Sequence, residues 1–127
     1  MKVKALSWMG VKTSQFDDMV HLYRDVLQLH LELEQPDFAV FRLPNGDTLE
    51  LFGPAGPNAH LAQGIVVCGF RVDDIEQARQ DLIEAGIELI GPLQGDGGTS
   101  WQHFRGPGGS VFELNAELEH LHLEEEV

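Results

Sequence analysis

The spacing of the hydrophobic positions changes from that of a strand to that of a helix and back, and the whole cycle occurs twice. Ala5 to Thr13 reads as a strand, after which Phe16, Met19, Val20, Tyr23, Val26 and Leu27 recur at helical spacing. Thr13 or Ser14 stands where that helix needs an N-cap. The second cycle opens with a buried strand from Ile65 to Val72. Asp73 and Glu76 then form a capping-box pattern before Ile75, Ala78, Leu82 and Ala85, and Gly86 suits the helix end. Short strands are expected at 29–33 and 87–90.

Each cycle closes on the same hairpin. The run from Phe41 to Leu51 repeats from Phe104 to Leu114, with identity at Phe41/Phe104, Arg42/Arg105, Pro44/Pro107, Gly46/Gly109, Glu50/Glu113 and Leu51/Leu114. Strand, Pro/Gly turn and strand is the reading of both, because Pro presets a turn backbone and Gly permits positive φ. The expected fold class is therefore α+β: two βαβββ modules forming a curved mixed sheet around a cavity, with helices on the outside. Module one covers about 2–53, a linker carrying Pro54, Gly56 and Pro57 covers 54–63, module two covers about 64–115, and an acidic tail covers 116–127.

Period-two alternation assigns the faces. Leu49, Leu51, Phe112 and Leu114 should pack on helices, as should Met9, Val11, Cys68 and Phe70. Thr48, Glu50, Phe52, Val111, Glu113 and Asn115 should turn to the concave side. On the same register Trp8, Gly10 and Lys12 correspond to Val67, Gly69 and Arg71. Trp101, His103 and Arg105 share one strand face, and Phe104 lies on the opposite one.

Composition narrows the chemistry. The 127 residues, 43% hydrophobic and 23% charged, suit a single domain, 1–127, so the modules must share a core or sheet. Cys68 is the only cysteine, which excludes an internal disulfide and a cysteine zinc cluster. No long apolar run opens the chain, and a cytoplasmic location is expected. A net charge of -13 argues against nucleic acid and anionic membrane as partners and would favour a cationic ligand. The patterns G-x-S-x-G, H-E-x-x-H and G-x-x-x-x-G-K-[ST] are absent, and the loop from Gly95 to Ser100 reads as a turn or lid rather than a phosphate cradle.

The segments Phe16 to Leu27, Phe70 to Ile75 and His103 to Leu114 carry a resemblance. From about Lys2 to Asn115 the chain resembles the glyoxalase/bleomycin resistance protein/dioxygenase (vicinal oxygen chelate) superfamily. In metal-using members the resemblance implies a metal at the centre of the concave sheet, with ligands at positions matched here by Trp8, Glu50, Val67 and Glu113. Only the two glutamates can ligate, because an indole N–H donates and valine has no donor atom. Two carboxylates with water make a weak site unless His103 supplements them. No cofactor is therefore favoured, and a divalent metal on Glu50, Glu113 and His103 is the alternative. His21, His30 and His60 fall away from the expected site, and His120 and His122 lie in the tail.

Two carboxylates on otherwise apolar strands require partners, for which Lys12 and Arg71 are candidates. The favoured expectation is a protein that binds a small organic ligand, cationic or aromatic, through Trp8, Lys12, Glu50, Phe52, Val67, Arg71, Trp101, His103 and Glu113. A metal-dependent lyase, isomerase or dioxygenase with Glu50 and Glu113 as catalytic candidates remains open, as does an interaction module without a ligand. The resemblance also implies a homodimer.

Overall fold

The computed structural model describes residues 1–117; the rest of the acidic tail, with His120 and His122, lies outside the described residues. The chain divides into two compact units, one from Ser7 to Val67, the other combining Met1–Leu6 with the chain from Cys68 on. Each unit holds a helix and a mixed four-stranded sheet, and the fold is α+β.

In the first unit, β1 (Ala5–Lys12) leads to α1 (Phe16–His21), then β2 (His30–Gln35), β3 (Phe38–Arg42) and β4 (Thr48–Phe52). β1 runs parallel to β4, which pairs antiparallel with β3, and β3 pairs antiparallel with β2. The side chains that alternation directs to the helix form the core: Val11, Ala39, Phe41, Leu49 and Leu51 pack with Phe16 and Val20. Met9 and Tyr23 pack at its margin.

The first helix departs from its expected form. It is α-helical only to His21, and Leu22–Val26 follow as a π-helical turn in which Leu27 N bonds Leu22 O at 2.9 Å. The wider turn carries Val26 and Leu27 out of the apolar stripe, and both are exposed. Gln28, at φ 59°, ends the segment. The Thr13 hydroxyl accepts from Gln15 N at 3.0 Å, so it supports the turn before the helix, and Gln15 occupies the cap position without a side-chain bond.

The linker folds with module one. Gly64 N donates to Lys12 O and Lys12 N to Ile65 O, at 2.8 and 2.9 Å. Asp37, in the turn between β2 and β3 at φ 58°, accepts from Gly53 N through its carbonyl at 2.8 Å and from Ala55 N through its carboxylate at 2.9 Å.

In the second unit, β5 (Val66–Arg71) precedes α2 (Ile75–Glu84), β6 (Glu88–Gly95), β7 (Thr99–Arg105) and β8 (Val111–Glu117). β5 runs parallel to β8, which pairs antiparallel with β7, and β7 with β6. The N-cap of α2 is Asp74, which accepts from Gln77 N at 3.0 Å, so the capping pattern stands one residue later than Asp73 and Glu76. Asp74 with Gln77 satisfies the same spacing, and the helix starts where the apolar stripe needs Ile75 at its first position. Val72, Ile75, Ala78, Leu82, Leu114 and Ala116 form the core, with Phe70 and Phe104 packed against it. Phe112 stacks between these two rings at centroid distances of 6.0 and 5.6 Å. The loop after β6 is a tight turn in which the Asp96 carboxylate accepts from Gly98 N and Thr99 N. No helix among the described residues is long and apolar enough to cross a membrane.

Candidate functional site

Because each helix packs on one face of its sheet, alternate side chains of every strand stand on the other, and the candidate residues are found there. In module one, Trp8, Gly10 and Lys12 lie opposite Thr48, Glu50 and Phe52, whose other neighbours are Arg42, Val40 and Phe38. The Trp8 ring leans on Phe52, centroids 6.3 Å apart, and Phe52 stacks on Phe38 at 5.8 Å. Gly10 makes this possible: a Cβ there would stand 2.9 Å from Cε2 of Phe52 and nearer still to the Trp8 indole.

The charges of this face are partitioned. Lys12 is 2% exposed and its Nζ donates to the carbonyls of Gly53 at 3.1 Å and Pro57 at 3.4 Å. Arg42 donates to Thr48 Oγ1 and makes a two-pronged contact with Glu32. That contact with Glu32 is the chief reason its guanidinium is held above its ordinary pKa, and the negative charge of Glu50 adds to the effect. Glu50 itself is half-buried.

In module two, Trp101 and His103 of β7 lie opposite Asn115 and Glu113 of β8, which in turn lie opposite Arg71 and Gly69 of β5. Glu113 is 5% exposed. Its Oε1 is 3.2 Å from His103 Nε2, and its Oε2 accepts from Asn115 Nδ2 at 3.2 Å. A carboxylate only accepts, so this contact requires the proton on Nε2 of the imidazole. Gln102 and Phe104, on the helix side of the same strand, bond Arg79 of α2 and pack into the core, which leaves Trp101 alone of the two aromatic candidates on the helix-free face.

For Glu113 the partners differ from the expected Lys12 or Arg71. Lys12 is held by backbone carbonyls because the linker folds over it, and Arg71 Nη1 meets Glu117 at 3.3 Å. Glu113 is held instead by His103 and Asn115. Phe52 and Val67 are buried, at 1% and 0% exposure, whereas His21, His30 and His60 are exposed. Sequence reasoning assigned no role to Arg42 or to the Asn115 amide. Strand parity with Glu50 and Glu113 was the signal that could have found them.

A resident divalent metal does not fit these residues. Trp8 and Val67 bring no donor, and among the described residues no group of three or more His, Cys, Asp or Glu side chains converges on a point. A recess of about 430 Å³ opens beside Ser14 to Asp18, Asp37 and Pro54, but none of the candidate residues lines it.

A duplicated βαβββ protein with its polar groups on helix-free sheet faces is the class these features define. The sequence model of the Glyoxalase/Bleomycin resistance protein/Dioxygenase superfamily matches residues 5–114, and the chain belongs to that superfamily. Solved structures agree on the fold. The Mn(II)-bound glyoxalase from Novosphingobium aromaticivorans superposes with TM-score 0.75 at 19% identity, over 91% of this chain and 39% of that one. A superfamily member from Vibrio splendidus gives TM-score 0.63 at 21% identity, over 85% of this chain and 95% of that one. A Streptomyces coelicolor methylmalonyl-CoA epimerase gives 0.65 at 17% identity, over 91% and 98%. At these identities the likeness is one of fold. No curated protein matches the chain in sequence.

Proposed function

We propose that the chain binds a small aromatic cation on the helix-free face of module one, with Trp8 as the ring surface and Glu50 as the charge, and without a resident metal. The observation that carries this reading is the placement of Trp8 over Gly10 and against Phe52, on the face that also bears Glu50. An aromatic face beside a carboxylate suits a delocalised cation, with cation–π attraction contributing roughly 0.5–2 kcal/mol. Lys12 is turned to backbone carbonyls, and the net charge of -13 draws cations toward the protein.

Benzamidine, benzamide and benzoate share one ring and differ in charge, which makes them the test, with binding read by calorimetry. Benzamidine should bind more tightly than benzamide, and Trp8→Ala and Glu50→Gln should each weaken it. Benzamidine affinity that is unchanged in Trp8→Ala protein sinks the assignment. Divalent-metal chemistry on Glu50 and Glu113, the alternative reading, needs donors that Trp8 and Val67 lack. A homodimer, which the family implies, is tested by light scattering at micromolar concentration, where a monomeric mass would contradict it.

A further inference from the structure

Arg71 and Lys12 occupy corresponding positions at the ends of β5 and β1, each on the helix-free face and each paired across a parallel ladder, Lys12 with Phe52 and Arg71 with Asn115. Their surroundings differ. The chain leaving β4 folds back so that Gly53 and Pro57 supply carbonyls to Lys12, which is 2% exposed. Among the described residues Arg71 receives only the Glu117 carboxylate, on Nη1 at 3.3 Å, and its side chain is 38% exposed. Its Nε is shielded from solvent and has no hydrogen-bond partner among the described residues.

An unclaimed guanidinium edge is chemically specific. Nε and Nη2 present two parallel N–H groups at the spacing of the two oxygens of a carboxylate, and leaving a shielded donor unpaired is costly. The neighbouring polar groups cannot supply that anion. The Glu113 carboxylate is committed to His103 on one oxygen and to Asn115 on the other. Glu117 is an exposed side chain and meets Arg71 at Nη1, outside that edge. One strand beyond Asn115 in the same cross-strand row stands Trp101, half-buried and on the same face.

We infer that module two carries an anion site of its own, in which Arg71 takes the carboxylate of a planar aromatic acid, Trp101 takes the ring, and Glu117, on Nη1, is the internal carboxylate that competes for the same guanidinium charge. The incoming oxygens pair with Nε and Nη2, beside the like charge of Glu117 on Nη1. This site is independent of the cation reading for module one, since it shares no residue with Trp8 and Glu50.

Benzoate binding to the full chain, followed by ligand-observed NMR with benzamide as the neutral control, tests it. Wild-type protein should bind benzoate in preference to benzamide. Arg71→Gln should lose about tenfold or more in affinity, and Arg71→Lys should recover only part, because an ammonium lacks the planar fork. Glu117→Gln removes the competing carboxylate at an exposed position and should tighten benzoate binding. That gain separates a built site from loss of fold in the Arg71 variants. Benzoate affinity equal in wild type and Arg71→Gln, no preference over benzamide, or weaker binding in Glu117→Gln would each overturn the inference. Trp8→Ala should leave benzoate binding unchanged whether or not benzamidine binds.

Discussion

Gly10→Ala gives the most direct test of how module one's aromatic surface is built. The added methyl would stand 2.9 Å from Phe52 Cε2 and closer to the outer edge of the Trp8 indole, well inside ordinary contact. Phe52 is 1% exposed and stacked on Phe38, so it has no room to retreat. The half-buried indole is the partner that yields. Overpacking of this kind costs about 1–3 kcal/mol. Against it, alanine is favoured over glycine in a strand by roughly 0.5–1 kcal/mol. The net loss expected is therefore about 0–2.5 kcal/mol, and in a Trp8→Ala background, where the tightest contact is gone and only Phe52 still crowds the methyl, the same substitution should cost less. Urea unfolding of the four proteins, followed by circular dichroism, gives the coupling energy directly. Benzamidine affinity should fall in Gly10→Ala alone, because the ring has left its place. An equal cost of Gly10→Ala in both backgrounds would refute the argument that glycine is there to seat Trp8.

Three further outcomes follow from the contacts described. Asp74→Ala should cost about 1 kcal/mol in urea unfolding, the usual value for a lost N-cap, while Asp73→Ala should be close to neutral; the reverse order would return the cap to Asp73. His103→Ala leaves a 5% exposed carboxylate one donor short and should cost roughly 1–3 kcal/mol, and a wild-type unfolding midpoint would show that Glu113 is held by other means. Asp25 should titrate at about 2 rather than 3.8, chiefly because Arg24 donates to it and secondarily because of His21. A depressed carboxyl stabilises the fold above its unfolded pKa and loses that contribution as pH falls from 3.8 toward about 2, an effect that salt screens at this exposed site. Carboxyl-detected NMR should show the midpoint rising in Arg24→Ala protein, and an unmoved midpoint would rule out the pair as its cause.

The fold was legible because its signals are local and repeated. Glu50-Leu51 and Glu113-Leu114 fix the parity of both hairpins, and from that parity the core positions Leu49, Leu51 and Leu114 and the helix-side placement of Phe104 follow. The exceptions arose where tertiary demands outweighed local pattern. Val26 and Leu27 have helical spacing but are exposed, because the chain turns there through a π-helical segment whose hydrogen bonds no sequence period encodes. The partners of the charged groups were less legible than the groups themselves. Lys12 was recognisable as a cation on the concave-side register, but its carbonyl partners depend on how a Pro/Gly-rich linker folds back, and backbone oxygens leave no trace in composition. Asn115 was placed on the correct face, yet its donation to Glu113 is a matter of side-chain rotamer.

Those partner choices make the two copies chemically unequal despite their common pattern. In module one Lys12 is withdrawn into backbone carbonyls, and the face carries aromatic rings, Glu50 and Arg42. In module two the carboxylate is the group withdrawn, between His103 and Asn115, and the cation Arg71 is the one left with open valence. Across the ladder, Phe52 opposite Lys12 and Asn115 opposite Arg71 mark the same divide between an apolar and a polar floor. The repeat sets a glutamate and a basic residue on the helix-free face of each module, and the contacts that hold Lys12 differ from those that hold Arg71. Two ligands of one shape and opposite charge should therefore be told apart by single substitutions, Glu50→Gln acting on benzamidine and Arg71→Gln on benzoate, with neither crossing to the other.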